Sequence, residues 1–127
     1  MFDYTVEVTK SVQESVHDLE QTLKQEGFGV LWTFDIQEKL NSKGLNFRKK
    51  YIVLEVCNPI EAEKVLSKNE LAGYFLPCKI VVYESQDHVK IGLPKPTSLI
   101  TMLADEYLTE VAKDIELRLI QCIDQCK

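Results

Sequence analysis

Tyr51-Ile52-Val53-Leu54-Glu55-Val56-Cys57-Asn58-Pro59 is the stretch on which the fold turns. Its β-branched and aromatic run predicts a strand over about Lys50 to Val56. Asn58 is a good helix cap, Pro59 suits the first helical position and Glu61 should complete a capping box at the third, so a helix is predicted from Pro59 to about Ser67. Strand runs directly into helix here. A thiol, Cys57, sits at the joint.

Upstream, Phe2, Tyr4, Val6 and Val8 alternate with polar residues, the pattern of a half-buried strand. Ser11 and Glu14 form a capping box. Val12, Val16, Leu19 and Leu23 then share one helical face. Gly27 ends that helix, and Leu23 and Phe28 are spaced for the apolar contact of a Schellman motif. Phe28 to Phe34 reads as a second strand. Asp35 caps a short helix carrying Ile36 and Leu40, which ends near Gly44.

Downstream, Ile60, Ala62, Val65 and Leu66 are the apolar residues of the helix, and Pro77 marks the next boundary. Cys78, Ile80, Val82 and Glu84 should share one face of a fourth strand, with Lys79, Val81 and Tyr83 on the other. Ser85 to His88 is a turn. Val89, Ile91 and Leu93 line one face of a fifth strand, where Gly92 suggests a bulge and Pro94 a stop. The last helix begins near Ala104 or Asp105. Leu108, Val111, Ala112, Ile115, Leu119, Cys122 and Cys126 recur along it at spacings of three and four. Leu117 and Ile120 fall off that stripe, and a helix apolar on more than one side usually finds a second partner. The order strand, helix, four strands with short helical insertions, long helix predicts an α+β fold. It should have two layers, a mostly antiparallel sheet with helices on one face, in a single domain over residues 1–127.

Composition narrows the function classes. The 127 residues are 45% hydrophobic and 28% charged, ordinary for a globular domain. A formal charge of -5 argues against a general nucleic-acid binder, which carries a basic face. The longest basic run, Arg48-Lys49-Lys50, reads as a solvated loop or strand end, with an anion contact as the alternative. No apolar stretch approaches the ~20 residues of a membrane span, and Met1-Phe2-Asp3-Tyr4 moves straight into strand-like sequence with no leader pattern. The expectation is a cytoplasmic chain without membrane or nucleic-acid partners, its four cysteines reduced.

Several short motifs stand in order along the chain. Gly27-Phe28-Gly29-Val30, Asp35, Cys57-Asn58-Pro59, Leu76-Pro77-Cys78, Val82-Tyr83-Glu84 and Pro96 together resemble the pattern of domain of unknown function 302, from about Val6 to Leu99. The resemblance implies a fold like that of the TATA-binding protein. It also implies a small bacterial or archaeal protein, a homodimer with no assigned activity. Lys95 departs from the pattern, where an acidic residue often precedes the late proline. The resemblance extends less well past Leu99, so Cys122 and Cys126 inherit nothing from it.

The candidate site is Cys57, Asn58, Pro59, Pro77 and Cys78. Every residue of the joint has a structural role, with Cys57 ahead of the cap and able to pack on Ala62. The same geometry allows chemistry, because a helix N-terminus favours a thiolate. If strands three and four are antiparallel neighbours, the end of one lies beside the start of the other. Cys57 and Cys78 would then be near enough for a reversible disulfide or two ligands to a soft metal. No CxxC or HxxxH completes a metal set, and Glu84 lies about 20 Å along the strand from Cys78 at ~3.3 Å per residue.

Cys122 and Cys126 read as core thiols. His17 and His88 have no nucleophile or carboxylate at a telling spacing. Gly27-Phe28-Gly29 leaves a helix for a strand, the wrong order for a dinucleotide fingerprint. The sequence thus favours a non-catalytic domain that homodimerises and binds a small ligand or protein partner between sheet and helices, with no cofactor. The alternative is a thiol-dependent redox or metal-handling protein using Cys57 and Cys78.

Overall fold

The local signals produce their elements nearly where they were expected. A computed structural model describes every residue, Met1–Lys127. Alternating apolar residues give β1 (Asp3–Val8), and the capping box forms at Ser11, opening α1 (Val12–Gln25). Gly27 takes the left-handed φ of 83°. The Phe28 amide donates to the Leu23 carbonyl and the Gly27 amide to the Lys24 carbonyl, both bonds of the Schellman motif.

β2 (Gly29–Asp35) leads into α2 (Ile36–Ser42), where the Asp35 carboxylate accepts from the Glu38 amide. β3 (Tyr51–Cys57) runs into α3 (Pro59–Lys68), with the Asn58 side chain accepting from the Ile60 and Glu61 amides. Glu61 does not complete the box; its carboxylate instead meets Lys64 and Arg118.

β4 (Cys78–Ser85) and β5 (His88–Pro94) form a hairpin through Gln86 and Asp87, both at positive φ, as a tight two-residue turn with right-handed strand twist requires. α5 (Glu106–Asp124) is capped by Asp105.

The sheet is antiparallel throughout, in the order β1-β5-β4-β3-β2. α1 and α5 pack on one face. Between them and the strands lies the main core, which includes Val6, Leu54, Ile80, Ile91, Leu19 and Leu119. The architecture is therefore the α+β sandwich expected, with strand, helix, four strands and final helix in order. On the other face, strand alternation places Trp32, Phe34, Tyr51, Val53, Val81 and Tyr83, and none of these is buried.

Three further features depart from the sequence reading. Gly92 makes no bulge; it pairs in register with both Thr5 and Val81. Its missing side chain leaves room for the Thr5 hydroxyl, which a Cβ would meet at 2.6 Å. The bulge lies instead in β2, where Val30 pairs with Val56 and Trp32 with Glu55, so Leu31 is the extra residue. Three short elements also join the long ones, 3-10 turns at Glu70–Tyr74 and Thr101–Leu103 and α4 at Pro96–Ile100. With α3 and the first half of α5 they enclose a second, smaller core of Val65, Ala72, Ile100, Leu108 and Ala112.

Candidate functional site

Register decides the fate of the thiol pair. Val56 pairs with Cys78 across β3 and β4, and Gly29 with Cys57 across β2 and β3. Cys57 is thus one residue past the partner of Cys78. Successive side chains point to opposite faces of a sheet, so Cys78 joins the core face with Ile80 and Val82 while Cys57 belongs to the other. The strand ends are neighbours as expected, but the thiols are presented to different sides. Both are free thiols. Burial raises the pKa of each; for Cys78 burial, then Cys57 and then Glu55 push it up to about 11. The helix beginning at Pro59 does not lower the Cys57 thiol, because Asn58 already takes the Ile60 and Glu61 amides.

The five residues of the sequence-derived site divide into two groups. Cys57, Asn58 and Pro59 form a joint. Gly27 is held against it, since a Cβ there would sit 3.3 Å from the side-chain Nδ2 of Asn58. The Arg118 guanidinium, 5.0 Å from the centre of the Phe28 ring, also donates to the Glu26 carbonyl at 2.9 Å. This part of the motif stitches the end of α1, the start of α3 and α5 together.

Pro77 and Cys78 belong elsewhere. They line a cavity of about 650 Å³, within the 300–1,000 Å³ usual for small-molecule sites. Val65, Ile100, Leu108, Ala112 and Ile115 form its buried inner wall. Phe75, Leu76, Pro94 and Pro96 close its sides. Its outer end reaches the uncovered face of the sheet, where Leu31, Trp32 and Tyr74 are 63%, 64% and 82% exposed. Trp32, Glu55 and Lys79 form a row there, consecutive in register across β2, β3 and β4, and Lys79 donates to the Glu55 carboxylate.

Little in the sequence pointed to this cavity beyond Pro77 and Cys78. Pro94 was legible as a strand stop and Leu108 as apolar. The exposure of Leu31 and Trp32 follows from the bulge, which the apolar run concealed. Nor does any group of three or more His, Cys, Asp or Glu side chains converge anywhere in the chain. His17 lies on the polar side of α1, His88 faces Glu7 at 3.9 Å, and Glu84 accepts from the Lys50 amide at the far end of β4. Cys122 and Cys126 are fully buried in the main core. No helix is long and apolar enough to cross a membrane.

Comparison with known proteins returns the same architecture. A family model described as domain of unknown function DUF302 matches residues 4–126. A crystal structure of an uncharacterized conserved protein DUF302 from Bacillus stearothermophilus superposes with a TM-score of 0.97. It shares 55% identity with this chain, covering 100% of it and 99% of the other chain. No curated protein matches.

Proposed function

This chain belongs to the DUF302 family, whose description assigns no function, and from that premise we propose that it is a non-catalytic domain binding a small apolar molecule in the cavity beside Cys78. The observation that carries this reading is the cavity itself. It is a concave, mostly apolar cleft of about 650 Å³, open at one end, and concave apolar clefts of this size are the usual form of small-molecule sites. An apolar occupant makes contacts with its walls and displaces poorly held water. Trp32 and Tyr74 at the outer end offer large, rigid contact area to whatever passes.

The test uses Trp32, the single tryptophan. Nile red, a neutral apolar dye, should bind with a change in Trp32 emission. Ala112→Phe, which places a ring in the cavity, should reduce that binding at least tenfold without unfolding the protein. Dye binding unaffected by Ala112→Phe would remove the cavity as the site.

A homodimer is the second part of the reading. Ile120 packs against the main core, and only Leu117, 57% exposed, remains of the α5 surface expected to favour it. The uncovered sheet face supports self-association better. Trp32 stacks on Phe34 there at 5.8 Å, and Tyr51 lies 5.2 Å from Tyr83. Sedimentation equilibrium should show a dimer that Tyr83→Glu dissociates; a monomer at all concentrations would end this part of the proposal.

A further inference from the structure

The charges around the cavity are few and mutually compensated. Of its seventeen lining residues only Glu55 and Lys79 carry a charge, and they are bonded to one another. Glu55 is the more sheltered partner, its side chain 15% exposed against 54% for Lys79. The remaining wall is aliphatic, aromatic or proline, with the Cys78 thiol. That thiol is protonated at neutral pH, because burial first and Cys57 second raise its pKa to about 11. Arg118, a nearby cation, is committed to Glu26, Asp114 and Glu61 and lies outside the cavity wall.

An ion entering such a space loses its water and meets no free counter-charge, a cost that only a partner or a proton transfer relieves. A carboxylate would have to take Lys79 from Glu55. An ammonium would have to take Glu55 from Lys79. Either exchange leaves one member of the pair alone in a partly apolar surround. An uncharged ligand leaves the pair intact. Its polar end, a hydroxyl or carbonyl, can still bond to the ammonium hydrogens or carboxylate oxygen that the pair does not use.

Resting on the reading of the cavity as a ligand site, we infer that it selects uncharged apolar molecules with one neutral polar end, and that the Glu55–Lys79 pair at its mouth excludes amphiphilic ions of either sign. The pair is a specificity element because both charges stand in one row with Trp32, at the place where a head group would rest.

A matched series tests it: 1-decanol, decanoate and decylammonium, each below its micellar concentration at pH 7.5, followed by Trp32 emission and by calorimetry. Decanol should bind at least tenfold more tightly than either ion. Glu55→Gln, which leaves Lys79 unpaired, should tighten decanoate about tenfold with little change for decanol. Lys79→Met should do the same for decylammonium. Decanoate or decylammonium binding the unaltered protein as tightly as decanol overturns the inference while leaving the cavity as a ligand site. Ion affinities unmoved in both variants would remove the pair from specificity. Failure of all three compounds to bind would remove the cavity reading and this inference with it.

Discussion

The two cores of this protein are built from different lengths of chain, and they fill differently. The main core lies between a five-stranded sheet and two helices of 14 and 19 residues. Long elements with regular periods present continuous ridges, and their side chains interdigitate. The smaller core lies among α3, a five-residue 3-10 turn, the five-residue α4 and one end of α5. Pro77, Pro94 and Pro96 punctuate its walls. Such short pieces cannot mesh along a whole face, and four of its five buried residues, Val65, Ile100, Leu108 and Ala112, line the cavity. Close packing is concentrated in one region and the open space in the other.

The sharpest way to break this comparison is to truncate one residue in each core. Leu119→Ala should cost about 4 kcal/mol, because Leu119 is wholly enclosed, and Ile100→Ala about 2 kcal/mol, the low end for such truncations, because its neighbours already face a void. Urea denaturation measures both. Equal losses would mean that the smaller core is as tightly packed as the larger.

Enlarging a side chain reverses the logic. Val82→Phe in the main core should destabilise by about 2–3 kcal/mol through overpacking, whereas Ala112→Phe should cost less than about 1 kcal/mol because its ring has space to enter. Thermal melts distinguish them directly. A large penalty at Ala112 would show that the cavity wall does not admit the ring.

A third comparison concerns the joint rather than either core. Gly27→Ala forces a side chain into the left-handed region, worth about 1–2 kcal/mol, and also toward Asn58 at 3.3 Å. Gly44→Ala shares the positive φ of 84° but has open space around it. Its loss should be about 1 kcal/mol, backbone strain alone. A matched loss at the two sites would mean that the Asn58 contact contributes nothing.

The last comparison is a pH dependence. Burial raises the Cys78 and Cys122 thiols to about 11, with Cys57 and Glu26 adding respectively. A raised thiol pKa means that the folded chain holds protons the unfolded chain has released. The stabilisation is then complete below pH 9 and falls as pH rises from about 9 to 11. Urea midpoints across that window should decline, less steeply in Cys78→Ala. A slope unchanged by that substitution would mean that the thiol at the cavity wall is not sheltered.

Much of this fold was legible residue by residue. Ser11, Asp35, Asn58 and Asp105 cap as their types predict, and Gly27 supplies the left-handed turn. The alternation of Cys78, Ile80 and Val82 named the core face of β4 correctly. Gly92 misled because a glycine in a strand signals either a bulge or a close approach, and the second applied, to Thr5 on the neighbouring strand. Ile60 misled in another way. It continues the apolar pattern of α3 but is 69% exposed, because only the face of α3 bearing Val65 meets the smaller core.

The amino-acid order by itself determined the elements, their caps and the faces of each strand, since these depend on residues within about one helical turn or two strand positions of each other. Only the tertiary structure decided that Val56 rather than Cys57 stands opposite Cys78. A shift of one residue in strand register exchanges the two faces, and no local signal fixes register to that precision. The cavity likewise draws on residues 31–32, 55, 65, 74–79 and 94–115. Its volume is what remains when elements far apart in sequence fail to close on one another, a property of their packing that no single segment contains.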